Sequence, residues 1–403
     1  MKRLSSVCIF FVAVAFGIVA CNPNDAYTIV VSMDAFRWDY PDACDTPNLN
    51  RIASEGVRCV MEPSYPASTF PNHYTIATGL VPDHNGIVNG SFWNPNTQEV
   101  FSMGDSTTRY NSAYYLGEPI WVTAEKAGVK TASIYWVGSD VPIHGILPTY
   151  AYPWYEKPHL TFEERADETV RLLSLPKKER PRLVMLYFDE PDETSHNYGP
   201  FAPETKSIIH QLDSIVGNMY RQLMSLPHGD KINVIITADH GMVEISPERF
   251  IDWDDYLKAE WCKRIVATNP TNIFVKEKQY VDSVVTALAG VEHISVWRHS
   301  EVPEELNYGT SNRCGDVIVA PDLGWQFAAS PKNKIGAHGY SPKEKDMQVT
   351  FIASGPSFKT TKCAMESAPF QNVDIYPMLS DILSLRAAKT DGEVYRTSII
   401  RQK

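Results

Sequence analysis

Three short apolar runs, each ending in acidic residues, frame the chain. Tyr27-Thr28-Ile29-Val30-Val31-Ser32-Met33 leads to Asp34, and Leu183-Val184-Met185-Leu186-Tyr187-Phe188 leads to Asp189-Glu190-Pro191-Asp192. Asn233-Val234-Ile235-Ile236-Thr237-Ala238 leads to Asp239-His240-Gly241. Runs of this length, rich in Val and Ile and without polar alternation, predict strands buried on both faces, hence a parallel sheet. Between them lie predicted helical stretches at 46–56, 119–128, 161–175 and 204–226. Strand and helix in alternation predict an α/β fold, a central, mostly parallel sheet flanked by helices. Ligands of such folds bind beyond the carboxyl ends of the strands. The three carboxylates Asp34, Asp192 and Asp239 are therefore expected on one rim, although roughly two hundred residues separate the first from the last. Any one aspartate after a strand serves equally well as a cap for the next helix or turn. Three together, with histidine neighbours, point to a shared site.

Residues 242 to about 335 break the alternation. Trp253-Asp254-Asp255-Tyr256, Asn272-Ile273-Phe274-Val275 and the stretch 281–288 predict a small lobe inserted before the chain returns at His338. No repeat, low-complexity tract or long linker interrupts the rest.

The first twenty residues read as an address. Lys2 and Arg3 precede an apolar or small stretch from Val7 to Ala20, followed by Cys21. A basic start, an apolar centre of this length and small residues before the cut mark a secretory signal, and the stretch is short for a bilayer span. Ile18-Val19-Ala20-Cys21 resembles a bacterial lipoprotein signal, with Cys21 as the lipidated N-terminus; ordinary signal cleavage is the alternative. The expected organisation is a signal over 1–20, a polar tether over 21–26 and a catalytic domain over 27–403. The expected location is the periplasm or the outer membrane, held by the lipid anchor, and a monomer is expected. Without Cys8 and Cys21, five cysteines remain (Cys44, Cys59, Cys262, Cys314 and Cys363), which permits at most two disulfides and leaves one thiol. No CxxC spacing is present, so a cysteine zinc site is not expected.

Composition narrows the function further. Of 403 residues, 43% are hydrophobic and 21% charged, enough to bury a large core. The formal charge of −11 excludes a broad cationic face for nucleic acid. An anionic substrate would need a local attraction, and the candidate chemistry supplies one. Asp192 and His196 are four apart, on one side of a helical turn. Asp239-His240 adds a carboxylate and an imidazole, and Gly336-Ala337-His338-Gly339 sets a histidine in a tight loop. With Asp34 this makes a mixed N/O set suited to catalytic zinc. Six such ligands exceed the needs of one ion with an open position, so two ions are expected. Two divalent ions outweigh the three carboxylates, whatever the net charge of the chain. The other histidines, His84, His144, His159, His210, His228, His293 and His299, are read as core or surface residues.

Thr69 lies in Ser64-Tyr65-Pro66-Ala67-Ser68-Thr69-Phe70-Pro71-Asn72-His73-Tyr74, where Pro71 marks the first turn of a helix running to Gly79. A hydroxyl there faces free backbone N–H groups and the positive end of the helix dipole. Alone it reads as a helix cap; beside two metals it becomes a candidate nucleophile.

These residues carry a resemblance. Asp34, the segment from Thr69 to Tyr74, Glu190-Pro191-Asp192 with His196 and Gly199-Pro200, Asp239-His240-Gly241-Met242 and Gly336-Ala337-His338-Gly339 resemble the nucleotide pyrophosphatase/phosphodiesterase family of the alkaline phosphatase superfamily. Pro47-Asn48-Leu49, Thr78-Gly79-Leu80, Pro82-Asp83-His84, Gly117-Glu118-Pro119-Ile120-Trp121 and Asn372-Val373-Asp374-Ile375-Tyr376-Pro377 match in the same order, from about residue 27 to 390. The resemblance implies an alkaline-phosphatase-like fold and two zinc ions: one on Asp34, Thr69, Asp239 and His240, the other on Asp192, His196 and His338. It implies attack by Thr69 on phosphorus, a covalent threonine intermediate and its hydrolysis by water, with nucleotides as substrates. Phe70 matches a residue that stacks on the base; Tyr152 and Trp154, in Tyr150-Ala151-Tyr152-Pro153-Trp154-Tyr155, are candidates for a second. The chain departs from the pattern in one place. Gly90 stands where the family places a phosphoryl-binding asparagine, so either Asn89 takes that role or a donor is missing. Two other readings stand beside this one: a phosphomonoesterase or phospholipid-head-group phosphodiesterase on the same scaffold, and an inactive lipid-anchored binding protein.

Overall fold

The computed structural model describes residues 26–360, 364–365 and 370–402. The predicted signal, Cys21 and Cys363 lie outside the described residues. An eight-stranded sheet runs in the order Ala364–Met365, Val57–Met61, Val349–Ser354, Ile232–Thr237, Tyr27–Met33, Leu183–Phe188, Thr131–Ile134 and Tyr150–Tyr152. The three runs read from the sequence are its centre. Tyr27–Met33 pairs in parallel with both others, with Ser32 opposite Tyr187 on one side and Thr237 on the other. All three strands therefore end at one level, and Asp34 N donates to Phe188 O at 2.9 Å there.

Every residue of these central strands is buried, which requires cover on both faces. Two sets of mutually packed helices supply it: Pro47–Ser54, Phe162–Leu173 and Pro203–Met224, and Thr69–Thr78, Ile120–Lys126 and Ile375–Ile382. Their ends follow local chemistry. Pro47 and Pro203 occupy first positions, where the missing N–H has no acceptor to lose. Thr161 and Glu164 form a reciprocal capping box at the start of Phe162–Leu173.

Val349–Ser354 departs from the parallel pattern. It pairs antiparallel with both Ile232–Thr237 and Val57–Met61. The reason lies in the path of the chain: it re-enters the sheet from the rim where His338 lies, without a crossover to the opposite edge.

Residues 250–328 build a separate small sheet. Cys262–Val266, Thr271–Val275, Val317–Pro321 and Ile294–Arg298 pair antiparallel in that order, and Tyr280–Leu288 packs on them. Ile251, Trp253, Ile273, Val284, Leu288 and Phe327 belong to a core of their own. The excursion leaves and rejoins the main body at adjacent short strands, Val243–Glu244 paired with Gly336–Ala337. A second tie joins the lobe to other elements of the main body. Asp83 accepts from Thr310 N at 2.6 Å and Ser311 N at 3.1 Å, and Arg313 donates to Tyr114 O at 2.6 Å. The described cysteines Cys44, Cys59, Cys262 and Cys314 are unpaired. No helix among the described residues is long and apolar enough to cross a membrane.

Candidate active site

The strand ends deliver the acidic groups. Asp34 follows Tyr27–Met33, and Asp239-His240 follows Ile232–Thr237 by one residue. Of the stretch Asp189-Glu190-Pro191-Asp192, only Asp192 enters the site. Asp189 pairs with Arg165, and Glu190 caps Thr194 with bonds of 2.7 and 3.1 Å. Asp192 opens the short helix Asp192–Tyr198, which carries His196 one turn later. His338 arrives directly after Gly336–Ala337. Gly336 has no room for a side chain, because a Cβ there would lie 2.4 Å from Ser195 O. That close approach is what brings His338 beside the helix of His196.

The seven predicted metal and nucleophile residues converge. Thr69 Oγ1 is 3.0 Å from His240 Nε2, which lies 3.1 Å from Asp239 Oδ2 and 3.3 Å from Asp34 Oδ1. His196 Nε2 is 3.5 Å from Asp192 Oδ2, and His338 Nε2 is 3.8 Å from Asp192 Oδ1. Candidate ligand atoms of Asp192, His196 and His338 lie within 4.8 Å of one another, as do those of Asp34, Asp192 and His240. None of the seven histidines read as core or surface joins such a group among the described residues.

Three observations test whether a divalent ion fits. First, Asp34 Oδ1, Asp192 Oδ1 and Asp239 Oδ2 are buried without a hydrogen-bond partner. A buried carboxylate oxygen without a partner is costly, and a cation removes that cost. Second, the three imidazoles are locked in one tautomer. Nδ1 of His240, His196 and His338 faces the carbonyl oxygen of Gly241, Gly336 and Ala67, at 2.8, 2.7 and 3.2 Å. A carbonyl can only accept, so each Nδ1 carries a hydrogen and each Nε2 is the nitrogen turned to the site, where a cation would take the place of a proton. Third, neighbouring ligands about 2.0 Å from a tetrahedral ion lie about 3.3 Å apart, within the range of the spacings found here. The residues fit the group.

The electrostatics agree. Burial, with help from Asp239 and Asp192, pushes the Asp34 carboxyl well above its ordinary range. Burial would also raise Asp239, but His240 and His73 outweigh it and hold that group down. Burial, then His240, His196 and Lys332, depress His338. Burial raises the Asp192 carboxyl as well, so without a cation Asp34 and Asp192 are both pushed toward the protonated form beside an ionised Asp239; a cation favours the ionised form of all three.

Thr69 is the first residue of the helix Thr69–Thr78, and Gly79, at φ +66°, ends it. By their place in the first turn, the N–H groups of Thr69 and Phe70 have no acceptor within the helix. The preceding turn is held from a distance. Asn72 Nδ2 donates to Pro66 O and Ser68 O at 2.8 and 2.9 Å, and Asn72 Oδ1 accepts from Ser64 N and from Asn372 Nδ2 at 2.8 and 2.7 Å. Ala67 O in that turn accepts from both His338 Nδ1 and Gly339 N. One turn therefore supports both Thr69 and His338.

The expected substrate residues fare differently. Asn89 lines a cavity of about 400 Å³ with Ser68, His196 and His338, and one of its amide hydrogens goes to Asn269 O at 3.2 Å. Phe70 and Trp154 do face a common point, but the guanidinium of Arg109 occupies it, 5.2 and 5.8 Å from the two rings. Tyr152 is not brought to the site. It lies on the edge strand, with its hydroxyl held by Glu168 of the helix Phe162–Leu173. Pro153 ends the strand there, and Trp154, two residues on, turns toward Tyr135 and Tyr187.

Three supporting residues escaped the sequence reading. Tyr187 donates to Asp34 Oδ2. His73, fully buried, joins Asp34 and Asp239 in a third cluster of candidate ligand atoms and bonds to Ser32 Oγ at 2.8 Å and Thr69 O at 3.0 Å. Arg109 fills the aromatic slot. His73 stands four residues after Thr69 on one helix face, a spacing that could have signalled it. Tyr187 is the polar-tipped residue of an otherwise apolar strand.

Comparison with known proteins places this arrangement. The family model for type I phosphodiesterase / nucleotide pyrophosphatase matches residues 28–341. The chain is 34% identical over 378 residues to the venom phosphodiesterase CdcPDE of Crotalus durissus collilineatus, covering 90% of this chain and 45% of that protein. It thus spans less than half the length of that venom enzyme. It is 32% identical over 381 residues to human ectonucleotide pyrophosphatase/phosphodiesterase family member 5, covering 93% of this chain and 78% of the human one. The structure of murine ectonucleotide pyrophosphatase/phosphodiesterase 5 matches with a TM-score of 0.86 at 31% identity, over 93% of this chain and 100% of that one. An inactive threonine-to-alanine variant of the murine protein, in complex with AMP, matches with the same TM-score at 30% identity, over 94% of this chain and 100% of that one. The chain belongs to the type I phosphodiesterase / nucleotide pyrophosphatase family.

Proposed function

We propose that the protein is a two-zinc hydrolase that cleaves phosphodiester or pyrophosphate bonds of nucleotides through a covalent intermediate on Thr69. The observation that carries this reading is Thr69 Oγ1 at a helix N-terminus, 3.0 Å from His240 Nε2, beside three tautomer-locked imidazoles and three unpartnered carboxylate oxygens. Asp34, Thr69, Asp239 and His240 would hold one ion, and Asp192, His196 and His338 the other. Bound zinc lowers the proton affinity of a hydroxyl or water and neutralises phosphoryl charge.

The chain supplies the rest. Thr69 Oγ attacks phosphorus and the bond to the leaving oxygen breaks, leaving a threonine phosphoester. Water then attacks the same phosphorus and Thr69 departs. In both steps the N–H groups of Thr69 and Phe70, at the positive end of the helix, are placed to receive charge on the phosphoryl oxygens. Tyr187 and Ala35 N fix the orientation of Asp34 and Asp239. The AMP complex of the murine relative supports a nucleotide as the group transferred. The leader ending in Cys21 supports export and a lipid anchor, and Cys21→Ala should release the protein from membranes of a bacterial host.

Purified protein should contain close to two zinc ions per chain and hydrolyse bis-(4-nitrophenyl) phosphate and ATP. Thr69→Ala should abolish turnover with zinc content unchanged. A folded, zinc-loaded protein that leaves both substrates intact sinks the reading.

A further inference from the structure

One cation beside the site has no side-chain hydrogen bond or ion pair among the described residues. Lys332 lies on the segment 329–335 that leads from Gln326–Ala328 back to Gly336. The segment is pinned: Lys332 N donates to Gln326 Oε1, Ile335 N to His196 O and Lys334 Nζ to Asn197 Oδ1, at 2.9, 2.9 and 2.6 Å. Lys332 itself lines the 400 Å³ cavity with Ser68, Asn89, His196 and His338. Its ammonium forms no ion pair among the described residues, in a chain where 48 acidic residues outnumber 37 basic ones.

An ammonium next to two divalent ions is repelled by them. The arrangement becomes favourable when an anion sits between. The direction identifies which anion. Phe70, Arg109 and Trp154 cluster apart from this cavity, and none of them lines it. Two paths therefore lead away from Thr69, one lined by Phe70 and Trp154 with Arg109 between them, the other lined by Lys332. A nucleotide whose α-phosphorus lies at Thr69, with its nucleoside toward the aromatic path, sends its leaving group toward Lys332.

We propose that Lys332 binds the leaving pyrophosphate, the β- and γ-phosphates of a nucleoside triphosphate or their equivalent in a dinucleoside polyphosphate. The inference rests on the function proposed above and adds a preference within it. As Thr69 Oγ bonds to the α-phosphorus, the bond from that phosphorus to the bridging oxygen breaks, and the negative charge that gathers on the departing pyrophosphate faces the ammonium. A 4-nitrophenyl leaving group carries no such phosphates and gains nothing from Lys332.

The test compares ATP with the 4-nitrophenyl ester of thymidine 5′-monophosphate on zinc-loaded enzyme. Lys332→Ala should lower kcat/KM for ATP by about tenfold to a hundredfold, the range expected for one charge-assisted hydrogen bond. The nitrophenyl ester should stay within about twofold by the same reasoning. Lys332→Arg should restore most of the loss, and Lys278→Ala, which removes the same charge from the small lobe, should change neither substrate. An unchanged ATP rate, or equal losses on both substrates, overturns the proposal. Wild-type enzyme that cleaves the ester and not ATP overturns it while leaving the hydrolase reading intact. Activity on neither substrate sinks both.

Discussion

Replacing Asn372 should test how the nucleophile's turn is held, from a position some three hundred residues away in sequence. Asn372 is fully buried; its Nδ2 donates to Asn72 Oδ1 at 2.7 Å and its Oδ1 accepts from Ser64 Oγ at 2.8 Å. Asn372→Ala removes two hydrogen bonds and a little volume, together about 2–4 kcal/mol. A folded chain of this size has an unfolding entropy of about 0.8 kcal/mol/K, so the melting point should fall by about 3–5 °C. Asn372→Asp is nearly isosteric, yet its consequence depends on pH. Ionised, the new carboxylate faces the acceptor Asn72 Oδ1; protonated, its O–H can donate as the amide did. Burial raises the folded-state pKa of the introduced carboxyl above its unfolded value, so stability is full below about pH 4 and is lost as pH rises, by about 1.4 kcal/mol per unit. At pH 7 the loss reaches about 4 kcal/mol, as large as for alanine, while near pH 5 it shrinks to about 1.5 kcal/mol. The order of the two variants should therefore separate with pH, the aspartate melting clearly above the alanine at pH 5. Thermal unfolding of metal-stripped proteins at both pH values measures this without interference from zinc loss. If the aspartate follows the alanine at both pH values, packing and not the hydrogen-bonded amide holds the turn.

Other perturbations reach the site from different sides. Chelation of zinc should lower the melting point by about 5 °C for each ion held at a thousandfold over its Kd, measured by scanning fluorimetry with and without added zinc. Gly336→Ala drives a methyl group to 2.4 Å from Ser195 O, so metal analysis should find about one ion per chain where wild type holds two, the site of Asp192, His196 and His338 being lost. Tyr187→Phe deletes the donor to Asp34 Oδ2 and should weaken zinc binding about tenfold to a hundredfold in a competition titration, with little change in fold.

The framework was legible because its physics is local. A parallel strand buried on both faces needs an unbroken apolar run, and the acid that follows it stands at the ligand-binding rim, so Asp34, Asp192 and Asp239 could be read directly. What escaped was set by contacts across the fold. Val349–Ser354 has the same kind of composition as its parallel neighbours, and only the route of the chain makes it antiparallel. Tyr152 and Trp154 lie two apart, yet Glu168 draws one ring away while the other turns to Tyr187. The pairing of Asn72 with Asn372 leaves no trace in local spacing, although both belong to segments that carried the family resemblance. Lys332 is an ordinary surface lysine in sequence, and only the cavity it lines distinguishes it.

The closure of the site by His338 has a consequence for biosynthesis. On the proposed assignment, the ligands of the first ion are all present once His240 has been made, whereas the second ion lacks an imidazole until residue 338 has emerged and the small lobe has been passed. A growing chain, or one truncated within that lobe, presents an incomplete centre whose carboxylates repel one another. Full metal loading then requires the chain to have passed residue 338, and retention of the second ion reports that the small lobe has been made and His338 delivered to the rim.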